Sequence, residues 1–262
     1  MIILLYVIAL LIGLSLGLLG AGGAIVAVPA FVYVHNVPPA LASGYSLFVV
    51  AVPTLIGSIP YIQRKQVEWR AVAAFGSTTL ISIAVVRAYI LPNMAFTAFG
   101  FDRDTTLMLF FAAILFIAGA SMLLRGRLKR AEHVQQSIHP VLLAAIGIVV
   151  GVISGFLGVG GGFLMTPALV VWAGLDMKTA VGTSLILICA NSVVGVLADA
   201  WTGLDYDWPL VLIFTALATI GIVIGTRLSK RIGGASLQKA FGWFVVVIGV
   251  AVVIKEWLEE LK

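Results

Sequence analysis

The chain has 262 residues, 61% hydrophobic and only 10% charged, with a formal net charge of +5 and a mean hydropathy of +1.16. A soluble domain carries about 25% charged residues, so this composition excludes an ordinary water-soluble globule. The long apolar runs are of roughly spanning length and show no short alternating strands, which points to membrane helices and away from a β-barrel.

Residues 2–19 read as a helix that ends at Gly17-Leu-Leu-Gly20-Ala-Gly22-Gly23. They lack a basic n-region and a small-x-small cleavage site, so a retained helix is expected rather than a signal peptide. A short helix at 24–34 follows, then spans at 41–62, 70–91 and 105–124. A polar linker runs from Arg125 to His139. The series then recurs as 140–157, the cluster Gly155-Phe-Leu-Gly158-Val-Gly160-Gly161-Gly162, a short helix at 163–174, and spans at 178–200, 208–229 and 236–256. Glycine costs a helix interior about 1 kcal/mol relative to alanine, so each cluster marks a place where the backbone leaves the helix.

The recurrence has a constant offset of 138 residues. Gly17, Gly20, Gly22, Gly23 and Pro29 map onto Gly155, Gly158, Gly160, Gly161 and Pro167. Ala42, Gly44, Ser46 and Leu47 map onto Ala180, Gly182, Ser184 and Leu185. An internal duplication follows, with residues 1–124 as the first transmembrane repeat and 140–262 as the second.

Lys and Arg set the orientation. They crowd the loop Gln63–Arg70, the linker 125–139 and the loop 227–239, all expected to be cytoplasmic. The loop Trp201–Trp208 carries Asp205 and Asp207 without a base and is expected outside. The positive-inside rule therefore explains the basic balance, and no nucleic-acid partner is expected. The basic loop near residue 65 and the acidic loop near 205 are equivalents on opposite sides. The expected fold is all-α, with two inverted-topology repeats, each a Gly-broken hairpin followed by three transmembrane helices. The run 163–174 extends about 18 Å against a hydrocarbon thickness of about 30 Å, so it is expected to turn back rather than span. Both termini are then outside.

The glycine turns are the first candidate site. A helix beginning after them presents unpartnered N–H groups and a partial positive charge, which suit an anion. Gly20, Gly22, Gly23, Gly158, Gly160, Gly161 and Gly162 are the candidates, with close helix packing as the alternative. No Gly-Lys-Ser/Thr follows either cluster, which excludes a Walker A loop. Ser46, Thr183 and Ser184 can add hydroxyl donors or cap their own helices. Asn191, matched by Pro53, lies two turns beyond Ser184 and can contact a substrate or a neighbouring helix. Arg87 is expected to snorkel to the outer surface. The lone Cys189 leaves no disulfide or cysteine cluster, and no metal or cofactor is expected. No Ser/His/Asp, Cys/His or HExxH set is present, so no enzyme is expected.

The two glycine motifs, each with its downstream proline and Ala-x-Gly-(Tyr/Thr)-Ser-Leu, resemble the TauE/SafE family of sulfite exporters over essentially the whole chain. The first copy departs with Ala24 for Gly162 and Tyr45 for Thr183. The resemblance implies export of sulfite, or of an organosulfonate, across the bacterial inner membrane. It implies as partners a small anionic substrate and the lipid bilayer, with a homo-oligomer left open. A small-anion channel and a non-transporting scaffold are the alternatives.

Overall fold

The computed structural model describes residues 2–20, 22–35, 37, 39–86, 89, 103–128, 140–157, 162–202 and 206–260. The elements are α1 (Ile2–Leu19), α2 (Gly22–His35), α3 (Pro39–Gln63), α4 (Trp69–Val85) and α5 (Arg103–Leu128) in the first half. The second half contains α6 (Pro140–Leu157), α7 (Gly162–Pro167), a π-helical continuation (Ala168–Trp172), α8 (Met177–Thr202), α9 (Trp208–Ser229) and α10 (Gly234–Glu260). Among the described residues, all regular structure is helical. Four helices contain stretches long and apolar enough to cross a membrane: Gly44–Gln63, Met177–Leu197, Trp208–Ser229 and Gly234–Lys255. Gly158, Gly160, Gly161 and Arg87 lie outside the described residues.

The chain does break at the first glycine cluster. Gly20 takes φ +77°, in the left-handed region open to glycine, and its N–H donates to Leu16 O at 2.8 Å. The second broken helix holds a feature not expected from sequence. After Pro167, which has no N–H to donate, the turn widens to π geometry, with Ala173 N donating to Ala168 O at 3.0 Å. Matched bonds close both short helices: Val37 N to Phe31 O and Leu175 N to Leu169 O, each six residues back.

The four most extensive helix contacts all join one half of the chain to the other: α1 with α9, α4 with α6, α5 with α10, and α3 with α8. The halves therefore fold around each other, not side by side. Small residues allow the approach. Gly13 and Gly17 face α9 at Ala218 and Gly225, while the matched Gly151 and Gly155 face α4 at Thr79 and Val86. Two counterpart pairs lie antiparallel. On α3 and α8, Leu47 meets Gly195 and Tyr61 meets Gly182; on α5 and α10, Gln238 Nε2 donates to Met122 O while Leu115 lies by Gly249.

One buried polar junction ties α1, α3 and α9. Tyr61, 1% exposed, donates its hydroxyl to Gly17 O at 3.0 Å and shares a 2.9 Å bond with Ser229 Oγ. Removing that hydroxyl strands the Gly17 carbonyl in an apolar setting. Tyr61→Phe is expected to lose about 1–3 kcal/mol, read as a lower midpoint in thermal denaturation of the detergent-solubilised protein.

Candidate functional site

Four helices, α2, α3, α7 and α8, line a small, partly open cavity. Its lining is Ala24, Ser46, Leu47, Val50, Gly162, Ile188 and Ser192, and its volume is about 10 Å³. That is about the space one water needs. Two pairs in the lining are equivalents at offset 138, Ala24 with Gly162 and Val50 with Ile188. The cavity thus sits where matched positions of the two halves come together. Both broken helices reach it with their first turns, α2 through Ala24 and α7 through Gly162. The first-turn N–H groups of a helix have no acceptor within it.

The expected site residues divide into groups. Ser46 and Gly162 line the cavity, and Ser46 is 4% exposed. Gly22 and Gly23 open α2 but pack elsewhere. A Cβ at Gly23 would strike the Ile12 carbonyl and Leu16, and one at Gly22 would meet Leu19 and Phe244. Here the packing explanation of the glycines accounts for the contacts. Gly20 lies under the start of α8, where a Cβ would meet Ser184 Oγ and Thr166 Oγ1.

Ser184 is committed to a hydrogen-bond chain. Thr166 donates to Ser184 Oγ at 2.9 Å, and Ser184 donates to Val181 O at 2.9 Å. This chain ties α7 to α8 beside the end of α1. Asn191 is buried on α8, 6% exposed, and its amide nitrogen has no hydrogen-bond partner. A buried donor without an acceptor costs about 1–3 kcal/mol, so it calls for an explanation.

Thr183 does something different. Its hydroxyl accepts from Glu68 N at 3.0 Å, and Glu68 caps α4. The matched Tyr45 hydroxyl accepts from Asp207 N at 2.9 Å, and Asp207 caps α9. Tyr45 and Thr183 differ in size yet perform one task, each fastening the N-cap residue of a helix in the other half. The signal in the sequence was the repeated acid–Trp pair, Glu68-Trp69 and Asp207-Trp208, at offset 139.

Ser192 lines the cavity and is 3% exposed, and sequence reasoning missed it. Its equivalent is Thr54, a second hydroxyl at offset 138, which was the available signal. Thr54 turns its own hydroxyl back to Val50 O at 2.6 Å. The two cavity hydroxyls therefore come one from each half, but from non-equivalent positions.

Near the start of α3 an aromatic cluster packs beside this region. Phe31 meets Tyr45 edge-on at 5.5 Å and Phe214 at 4.7 Å, and Tyr45 lies 5.2 Å from Tyr206. The equivalents of Phe31 and Tyr45 in the second half are Leu169 and Thr183, so the cluster has no aromatic counterpart there.

Four helices long and apolar enough to cross a bilayer mark a multi-pass membrane protein. The sequence profile described as "Sulfite exporter TauE/SafE" matches residues 5–252, and the chain belongs to that family of membrane transporters. It is 30% identical to a "Probable membrane transporter protein" of Xylella fastidiosa strain Temecula1, over 94% of this chain and 93% of that one. A "Probable membrane transporter protein" of Haemophilus influenzae is 25% identical over 94% and 95%. "Sulfite exporter TauE/SafE family protein 5" of Arabidopsis thaliana is 29% identical, over 38% of this chain and 23% of that one. No solved structure matches the chain.

Proposed function

We propose that the chain is a secondary transporter that exports a small sulfur-containing anion, sulfite foremost or an organosulfonate, across the bacterial inner membrane. The carrying observation is the cavity at the meeting of matched positions, reached by the first turns of both broken helices. The anion is held there by first-turn N–H groups of α2 and α7, by the hydroxyls of Ser46 and Ser192, and by the Asn191 amide. Gly158, Gly160 and Gly161, which lie outside the described residues, belong to the same proposal. Gly20, Gly22, Gly23, Thr183 and Ser184 support the site through the packing and hydrogen bonds described above.

The two halves, residues 1–124 and 140–262 about the cytoplasmic linker 125–139, act as inverted repeats. The antiparallel pairing of α3 with α8 and of α5 with α10 supports this. Both termini are then outside. Movement of one repeat against the other gives alternating access. A cavity of about 10 Å³ holds about one water and must widen to take an oxyanion, which favours a carrier over an open pore.

The test is counterflow in proteoliposomes. Labelled sulfite is expected to accumulate against internal unlabelled sulfite, whereas a pore dissipates the gradient. Ser46→Ala and Ser192→Ala are each expected to reduce counterflow about tenfold, the loss of roughly one hydrogen bond to a charged ligand. Full rates in both variants would remove these hydroxyls from the site.

A further inference from the structure

We infer that the cavity selects singly charged anions, so that hydrogensulfite, not the sulfite dianion, is the species bound; this rests on the function proposed above. Every lining side chain is uncharged. The side-chain donors in the lining are neutral, the Ser46 and Ser192 hydroxyls, and next along α8 from Ser192 the Asn191 amide nitrogen is buried without a partner.

Ionisable groups on the surrounding elements face other partners or lie at helix ends. On α3, the Tyr45 hydroxyl accepts from Asp207 N, and Tyr61 is bonded to Gly17 and Ser229. On α8, Cys189 contacts Thr54, and Asp176 and Lys178 stand at the helix start. Glu68 and Asp207 are the caps of α4 and α9.

No described lysine or arginine therefore lines the cavity, and the partial charges of the two helix starts, about half a unit each, offset one negative charge but not a second. The desolvation cost of an ion grows with the square of its charge, so a dianion loses about four times the hydration free energy of a monoanion on entry. Neutral donors strengthen with ligand charge only about in proportion, so they do not recover that difference. The class that fits is a small oxyanion of one charge. Hydrogensulfite and alkylsulfonates belong to it; sulfate and the sulfite dianion do not.

The test uses the full-length protein in detergent, with sulfite, sulfate and methanesulfonate as probes, followed by thermal shift or calorimetry from about pH 6 to about pH 8. The apparent dissociation constant for total sulfite is expected to rise about tenfold per pH unit above the second ionisation of sulfurous acid. Methanesulfonate, singly charged throughout, is expected to bind with a flat pH profile, and sulfate at least about a hundredfold more weakly. Sulfite binding that holds or tightens as pH rises, or sulfate binding equal to methanesulfonate, would overturn charge selection while leaving the anion site standing. A methanesulfonate profile that falls in parallel with sulfite would also overturn it, because a protein group would then be titrating. Failure of all three anions to bind would instead overturn the proposed function.

Discussion

Gly20→Val is expected to abolish counterflow and to destabilise the protein by about 2–6 kcal/mol. Two independent penalties add. The backbone at Gly20 has φ +77°, where a β-branched residue is strained by about 1–3 kcal/mol. Any Cβ there also meets Ser184 Oγ, Thr166 Oγ1 at 3.0 Å and Val181 Cα at 3.2 Å, and such overpacking costs about 1–3 kcal/mol. The displaced groups are the hydrogen-bond chain that joins α7 to α8, so the damage passes directly to the wall of the cavity. Gly20→Ala combined with Ser184→Ala relieves part of the clash but none of the backbone strain, and is expected to recover only part of the loss. The readouts are the denaturation midpoint and labelled-sulfite counterflow. A valine variant with the midpoint of the parent would show that the turn is free to take another form.

The second large effect is expected at Gly17→Leu, which should prevent the halves from assembling. A Cβ at Gly17 would stand 2.7 Å from Thr226 N and 2.9 Å from Gly225 Cα. These are backbone atoms, and no rotamer change clears them. The α1–α9 contact must separate, at a cost of at least about 3 kcal/mol. Leucine at the equivalent Gly155 meets Val86 Cβ at 2.7 Å, an atom no rotamer change moves, so Gly155→Leu is expected to be severe as well, although it strikes no backbone atom. Leu11→Ala, on a face 52% exposed, serves as the control and is expected to shift stability by less than about 0.5 kcal/mol. Folded yield by size-exclusion chromatography ranks the three. Equal yields would mean that the small-residue stripe does not set the helix separation.

Much of the helical plan was legible in the residues. The expected limits 2–19, 140–157 and 208–229 coincide with α1, α6 and α9. Apolar runs cut by glycine, proline or charge leave few alternative boundaries in a membrane-type chain. The offset of 138 was equally readable, and the matched contacts of Tyr45 and Thr183 follow it although their side chains differ. The π-helical turn after Pro167 was not readable, because a proline states which bond is lost but not how the next turn adjusts. The roles of the hydroxyls were not readable either. Ser46 and Ser184 are equivalents in sequence, yet one lines the cavity and the other is held by Thr166, whose own equivalent, Val28, has no hydroxyl.

The sequence alone determined that the chain enters a membrane, how many apolar helices it forms, where two of them break, and that the pattern occurs twice. These follow from hydropathy and local backbone preference, which act within a few residues. Only the tertiary structure decided which helices pair across the halves, that Ser192 and not Ser184 reaches the cavity, and that the cavity is uncharged. Such outcomes depend on side chains more than a hundred residues apart meeting across an interface, and packing at that range leaves no mark on local composition.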